Sequence, residues 1–513
     1  MELAEFLEKL KLTDISKLED AHELHIPPSG KVFMQIQELF QATQSKQSRY
    51  EFLKDIRLLF ETADSHWLFG HCCSNRDFDL SKVYGNLVTS LIQYAALPVC
   101  ENDISELPES AFSDIPEKAE TVVSCFLVLI QKLLVGKDPY PCGESGESTV
   151  LICNSTVVPF VVFAATHCHV KPWTSFESRS LANRLLNEVL KMSGSESLAQ
   201  LLMGKNDRGK GIVGSVLQFL RPELQKHTWK LNPATKHVFF WILCQITRPW
   251  LANHLERVLP PALLISDDYR IENKVMGVRC IHHIIVNVPA ADLWQFNRAQ
   301  VLYHALFNHL YTHEADLIQV VLPCLLDLLP IMEKSSVITE KREKTTYTDE
   351  VLRLVLTHME MENKIALRRV YAKNLPCFVE RLGISTARHL KRLEKVIVGY
   401  LEVYDGPEEE ARLCVLETLK CTIQHVWPRI PSRLEVFLKS LLKLIYDVST
   451  DSSLTSETVK SSLLQQATQC LILLDRCSEH KVKVLLDKVQ RSCNNADLLK
   501  SISEVQKDAE ITN

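Results

Sequence analysis

Residues 204–211 read GKNDRGKG, one hydroxyl short of a phosphate-binding loop. Such a loop needs Ser or Thr after its last lysine to hold magnesium, and a strand before its first glycine. Here Gly211 stands in the hydroxyl position and Leu198–Met203 has helical spacing, so the run, Lys210 included, is expected to be a loop between helices. Two other segments carry metal-ligand types: His66, His71, Cys72 and Cys73 in one, Cys153, His167, Cys168 and His169 in the other. Structural zinc favours thiolates spaced Cys-x-x-Cys, which can face one ion. That spacing occurs nowhere in the chain, and adjacent Cys72 and Cys73 diverge on a helix, so buried or capping roles are expected. His282-His283 and the series His304, His309, His313 suggest proton transfer, but the spacings of the series place it on diverging faces and no nucleophile elbow accompanies it. His313-Glu314 does not continue into a zinc-protease motif. Ser266-Asp267-Asp268 reads better as the cap of a helix beginning near Tyr269 than as a metal-binding pair. Neither a catalytic site nor a metal or cofactor is expected.

One charge feature stands above this background. Between Lys364 and Lys395 lie Lys364, Arg368, Arg369, Lys373, Arg381, Arg388, Lys391, Arg392 and Lys395, opposed only by Glu380 and Glu394. The segment is locally strongly basic in a chain whose net charge is −5. Arg388, Lys391, Arg392 and Lys395 fall at helical spacing on one stripe, which makes them the candidate docking residues. The stripe reads as a solvated helix face, as a docking face for an acidic protein surface, or as a nucleic-acid contact. Aromatic residues for stacking are sparse among these charges, which tells against single-strand binding.

The elements that would carry these residues read as helices throughout. In 431–448 the apolar residues Leu434, Phe437, Leu438, Leu441, Ile445 and Val448 share a face, with Glu435, Lys439, Lys443 and Asp447 opposite. In 407–427, Leu416, Leu419, Ile423 and Val426 form the apolar line, after Pro407 at a first-turn position and three carboxylates at the positive end of the dipole. The stretch 385–401 aligns Leu390, Leu393, Ile397, Tyr400 and Leu401. Further helices are expected over 456–476, 349–359, 298–311 and, bent by Pro323, 313–332. In the N-terminal half they are expected over 31–44, 51–63, 79–96, 117–135, 149–167, 176–192 and 234–246, with linkers at 98–113 and 136–148 and a polar loop at 340–348.

Composition agrees. Only 15 of 513 residues are glycine, too few for a protein rich in hairpins or phosphate-binding turns. Apolar residues at 46% and charged residues at 24% are globular proportions. The 16 cysteines sit mostly within apolar helical patterns, as reduced thiols do. Residues 1–20 contain no apolar signal-peptide core. The stretch 148–170 lacks Asp, Glu, Lys and Arg and is long enough to span a bilayer, but its Asn154, Pro159, His167 and His169 suit a helix buried inside an array.

Pairing the C-terminal helices gives hairpins whose first members begin near Asn297, Asp349, Ser385 and Pro431, about 45 residues apart, the period of HEAT and armadillo units. The expected fold is an all-α, HEAT/armadillo-like α-solenoid of antiparallel helix pairs. It divides into a less regular helical region over 1–148 and a continuous repeat array over 149–513.

The run NPATKHVFFWILCQITRPW at 232–250, its continuation LANHLERVLPPALLISDDYRIENKVMGVRCIHHIIVNVPAADL, the segment HLKRLEKVIVGYLEVYDGPEEEARL at 389–413 and CLILLDRCS at 470–478 resemble the Tel-two-interacting protein two family. The resemblance covers roughly 172–478 and carries nothing onto 1–170. It implies a non-enzymatic α-solenoid within the Triple-T cochaperone complex, cytoplasmic and also nuclear. The implied partners are Tel-two and Tel-two-interacting protein one. The implied clients are phosphatidylinositol-kinase-related kinases of DNA-damage and nutrient signalling, matured with the ninety-kilodalton heat-shock chaperone and its RuvB-like cochaperones. Membrane and nucleic acid are not expected partners; a repeat protein binding nucleic acid through 364–395 is the alternative.

Overall fold

The computed structural model describes residues 28–43, 45–69, 79–100, 107–135, 145–204, 211–336, 345–451 and 455–511, and among them every element is a helix. Packing groups the chain into two compact units, Met1–Pro261 and Ala262–Asn513. The division expected at 148/149 followed regularity of pattern, a different criterion.

Unit one contains α1 (Ser29–Ala42), α2 (Lys46–Thr62), α3 (Ser65–Phe69), α4 (Leu80–Tyr94), α5 (Ile115–Val135), α6 (Ser145–His167), α7 (Phe176–Ser193), α8 (Leu198–Met203), α9 (Val213–Leu220), α10 (Thr235–Gln245) and the start of α11 (Leu255–Ser266). Local chemistry sets several ends. Ser45 and Asp79 accept the amides of Ser48 and Lys82 at the starts of α2 and α4. Ser175 and Ser178 form a reciprocal capping box for α7, which ends on Gly194 at a left-handed φ of 64°. Alternate helices stack: α1 on α4 and α4 on α6 in one row, α2 on α5 and α5 on α7 in the other.

Two segments, Ser148–His167 and Ala315–Glu333, are long and apolar enough to cross a membrane by composition. In α6, however, Ile152, Phe160, Val161 and Ala164 are fully buried against α4, α7 and α10. Packing therefore accounts for its apolarity.

Unit two contains α12 (Ile271–Asn287), α13 (Ala290–Trp294), α14 (Arg298–His309), α15 (Ala315–Ser336), α16 (Tyr347–Met361), α17 (Ile365–Leu382), α18 (Leu390–Leu401), α19 (Glu410–Val426), α20 (Leu434–Thr450), α21 (Glu457–Cys477), α22 (Lys481–Gln490) and α23 (Ala496–Ile511). The first helices of successive pairs, α14, α16, α18 and α20, begin 43 to 49 residues apart, the expected period. Each packs on its hairpin partner. The first helices α16, α18 and α20 form one row, and α15, α17, α19, α21 and α23 the other. This HEAT-like arrangement leaves α19 almost wholly enclosed, with Val415, Leu416 and Leu419 at zero exposure.

Several boundaries differ from the sequence reading. The stretches expected as helix from 385 and from 431 begin with 3₁₀ turns, Gly383–His389 and Trp427–Arg433, ahead of α18 and α20. Pro407 is not in the first turn of its helix. Instead α19 starts at Glu410, after Glu409 adopts a left-handed φ of 54° and the Asp405 carboxylate accepts the Ala411 amide at 2.7 Å. Ser266 caps nothing: it ends α11, and α12 begins at Ile271 without a side-chain cap. Helix α12 approaches the end of α11 too closely for a side chain at Gly277, whose Cβ would collide with the Ser266 main chain. Helix α17 was not anticipated as an element, because its basic residues read as a charge patch.

Candidate docking surface

The nine basic residues of 364–395 are distributed over α17, the 3₁₀ turn and α18, and most of their charge is directed inward. The Arg388 guanidinium donates to Asp349 Oδ2 at 2.7 Å, and His389 contacts Asp349 Oδ1 at 2.8 Å. Asp349 is already the third residue of the capping box that opens α16, where it accepts the Thr346 amide at 2.9 Å. Burial pushes its carboxyl up, but the hydrogen bonds from Thr346 and His389 and the Arg388 cation more than offset this and hold it below the ordinary range. Arg392 donates to Glu360 at 3.0 Å, to the Arg353 carbonyl at 3.0 Å and to the Thr357 hydroxyl at 2.8 Å. Both arginines of the stripe therefore tie α18 to α16.

The rest of the patch divides the same way. Arg369 binds Asp405 and Glu408, each at 3.0 Å, and Arg381 reaches Glu333 at 3.4 Å. The Arg368 guanidinium lies 3.7 Å over the centre of the Tyr400 ring. Lys364 donates to the His313 carbonyl at 3.4 Å. Lys373, Lys391 and Lys395 are exposed, and no described residue bonds to them. Lys391 and Lys395 stand one turn apart on the solvent face of α18, opposite buried Leu390, Leu393 and Ile397. Arg353 on α16 and Lys439 on α20 are exposed as well. The stripe thus resolves into two structural arginines and two free lysines. Spacing alone could not separate them, because the acids that bind the arginines come from another helix.

The other chemistry-bearing residues do not converge. Of the phosphate-loop run, 205–210 lies outside the described residues. Gly204 follows helix α8 and Gly211 precedes α9, so no strand leads into it. His71, Cys72 and Cys73 also lie outside the described residues, and among those described no three His, Cys, Asp or Glu side chains form a metal set. His167 is buried, and desolvation lowers its pKa to about 4. Burial raises the Cys168 thiol to about 11. His282 pairs with Asp327 at 2.7 Å, and His309 lies 3.2 Å from the Ser266 hydroxyl. His304 packs on Tyr303, and His313 on His358.

Comparison with known proteins gives this geometry a context. The Tti2 family model matches residues 210–403. TELO2-interacting protein 2 of Homo sapiens is 49% identical over 96% of this chain and 95% of its own length. Its Mus musculus counterpart is 50% identical over 90% of this chain and 88% of its own. The likeness therefore extends into the N-terminal region, where sequence reading carried none. Among solved structures, importin beta aligns with 94% of this chain and 63% of its own at 13% identity and a TM-score of 0.41.

Proposed function

The chain belongs to the Tti2 family, and on that premise we propose that it is a non-catalytic scaffold subunit of a cochaperone complex. Its partners are TELO2, by the name its relatives carry, and Tel-two-interacting protein one. Its clients are phosphatidylinositol-kinase-related kinases, which the complex stabilises and matures together with the ninety-kilodalton heat-shock chaperone machinery. In this role it supports DNA-damage and nutrient signalling from the cytoplasm and the nucleus.

The observation that carries the reading is the pair of helix rows in unit two. Each hairpin there is held by its neighbours and leaves one helix face to solvent. Such arrays recognise proteins through extended surfaces assembled from many repeats. On α18 that face carries Lys391 and Lys395, whose charge is free to steer an acidic partner surface.

The test is affinity purification of the tagged chain from cells, with identification of what accompanies it, followed by its depletion. Recovery of TELO2, and a fall in kinase protein without a fall in kinase messenger RNA, is the expected result. Normal kinase abundance after depletion would overturn the cochaperone role while leaving the scaffold reading intact. The competing nucleic-acid reading requires strongly salt-dependent DNA or RNA binding. It is weakened by the number of arginines in 364–395 that bind this chain's own carboxylates.

A further inference from the structure

Lysine amines are normally fully solvated or paired with a carboxylate, whereas the partner of Lys171 is an imidazole. It lies in the turn between α6 and α7, half-buried, and its Nζ stands 3.1 Å from Nδ1 of His237 on α10. The turn is rigid. Thr174 Oγ1 accepts the Lys171 amide at 3.0 Å and donates to the His169 carbonyl at 2.9 Å. The neighbouring Trp173 is 4% exposed, donates its indole N–H to the Thr166 carbonyl at 2.9 Å and packs in a small core with Phe112, Ile115 and Ala234. Aromatic rings line the surroundings: His237 lies 6.1 Å from Trp173, and His169 lies 6.1 Å from Trp241.

The titratable groups around the amine are His169, His237 and Lys236, with Arg179 reaching Thr174 at 3.5 Å. The carboxylate that reaches the turn, Glu120, accepts the Ser175 hydroxyl at 2.8 Å. No described carboxylate forms an ion pair with Lys171. Burial disfavours the ammonium and lowers the pKa of Lys171. Burial and the neighbouring cations, Lys171 first among them, lower that of His237 to about 3, so the imidazole is neutral and can accept a hydrogen bond from the amine without offering it a counter-charge.

We propose that Lys171 is a nucleophilic amine and a site of covalent acylation by thioester donors, with the neutral His237 imidazole as its hydrogen-bond partner. The neutral amine attacks the thioester carbonyl carbon. The N–C bond forms, the C–S bond breaks, and the amine proton passes to the departing thiolate. The product is a neutral amide where a half-buried, unpaired cation had stood, so the reaction also relieves the desolvation cost of that charge.

The test is incubation of the full-length chain with acetyl-coenzyme A across a pH series, with site occupancy read by mass spectrometry. Exposed Lys391 and Lys395 are the internal references. At about pH 7.5 Lys171 acylates several-fold faster than either, and the advantage disappears by about pH 10.5, where ordinary lysines also lose their protons. His237→Glu places a carboxylate against the ammonium, and in a variant whose helical circular dichroism is unchanged it returns Lys171 to the reference rate. A wild-type Lys171 that acylates no faster than Lys391 and Lys395 at any pH overturns the proposal. So does a folded His237→Glu variant that keeps the wild-type rate.

Discussion

Asp349 Oδ2 and Arg388 Nη1 stand 2.7 Å apart, joining the first turn of one repeat helix to the 3₁₀ turn that enters the next. One carboxylate thereby does two things: it completes a capping box within its own helix and ties the neighbouring repeat to it. Asp349→Ala removes the cap and leaves His389, which is 11% exposed, without its partner. A loss of about 2 kcal/mol is expected by urea denaturation, discounted because the Arg388 side chain is half exposed. A loss below experimental error would mean that this contact does not couple the repeats.

Charge reversal separates the two halves of the stripe. Lys391→Glu with Lys395→Glu leaves the melting temperature essentially unchanged, weakens partner capture and reduces its salt dependence. Arg388→Glu with Arg392→Glu places acids against Asp349 and Glu360 and destabilises the fold itself. Melting curves and pull-downs of the two double variants, run in parallel, check both statements. Identical behaviour of the pairs would contradict the assignment.

Leu419 has zero exposure on α19, between α17 and α21. Leu419→Ala opens a cavity and costs about 2–5 kcal/mol. Because repeat stability sums over units and interfaces, hydrogen exchange should rise first in α18–α21. Partner subunits are then lost while unit one stays protease-resistant. Uniform exchange across both units would rule out this repeat-wise behaviour.

His167 supplies a pH signature. Burial holds its folded pKa at about 4 against an ordinary 6.5, so the unfolded chain binds the proton more readily. Its contribution is complete above about pH 6.5, declines as pH falls and is exhausted near pH 4. The depth is up to about 3 kcal/mol. His167→Leu should flatten this part of the stability curve, measured as the difference from the unchanged chain. Parallel curves would show that His167 is protonated without penalty in the folded protein.

Helix faces were legible wherever one continuous apolar line met a polar one, as in α18, α20 and α21. A mean period of about 45 residues followed from them, against the 43 to 49 observed. Boundaries were less legible where a turn borrows helical spacing. Residues 383–389 and 427–433 continue the periodic pattern but close as 3₁₀ turns. Glu409 enters a left-handed conformation that no residue type announces. The stripe was legible as charge but not as contact, because Asp349 and Glu360 are brought to it by tertiary packing. The Lys171–His237 pair left no chemical signal: 66 residues separate its members, and neither belongs to a catalytic or metal-binding motif.

The two rows of unit two combine the same forces in different proportion. The first helices are laced by Arg388–Asp349, Arg392–Glu360, Arg433–Glu394 and Lys443–Glu402, at 2.7 to 3.4 Å. The second row has two such pairs, Arg381–Glu333 and Arg476–Asp508, and rests mainly on fully buried side chains such as Leu375, Val379, Leu416, Leu419 and Leu471. Dissolved ions screen the lacing and leave the apolar seam unaffected. Rising ionic strength therefore weakens more of the contacts along the first row than along the second, so the two sides of the unit should differ in their response to salt.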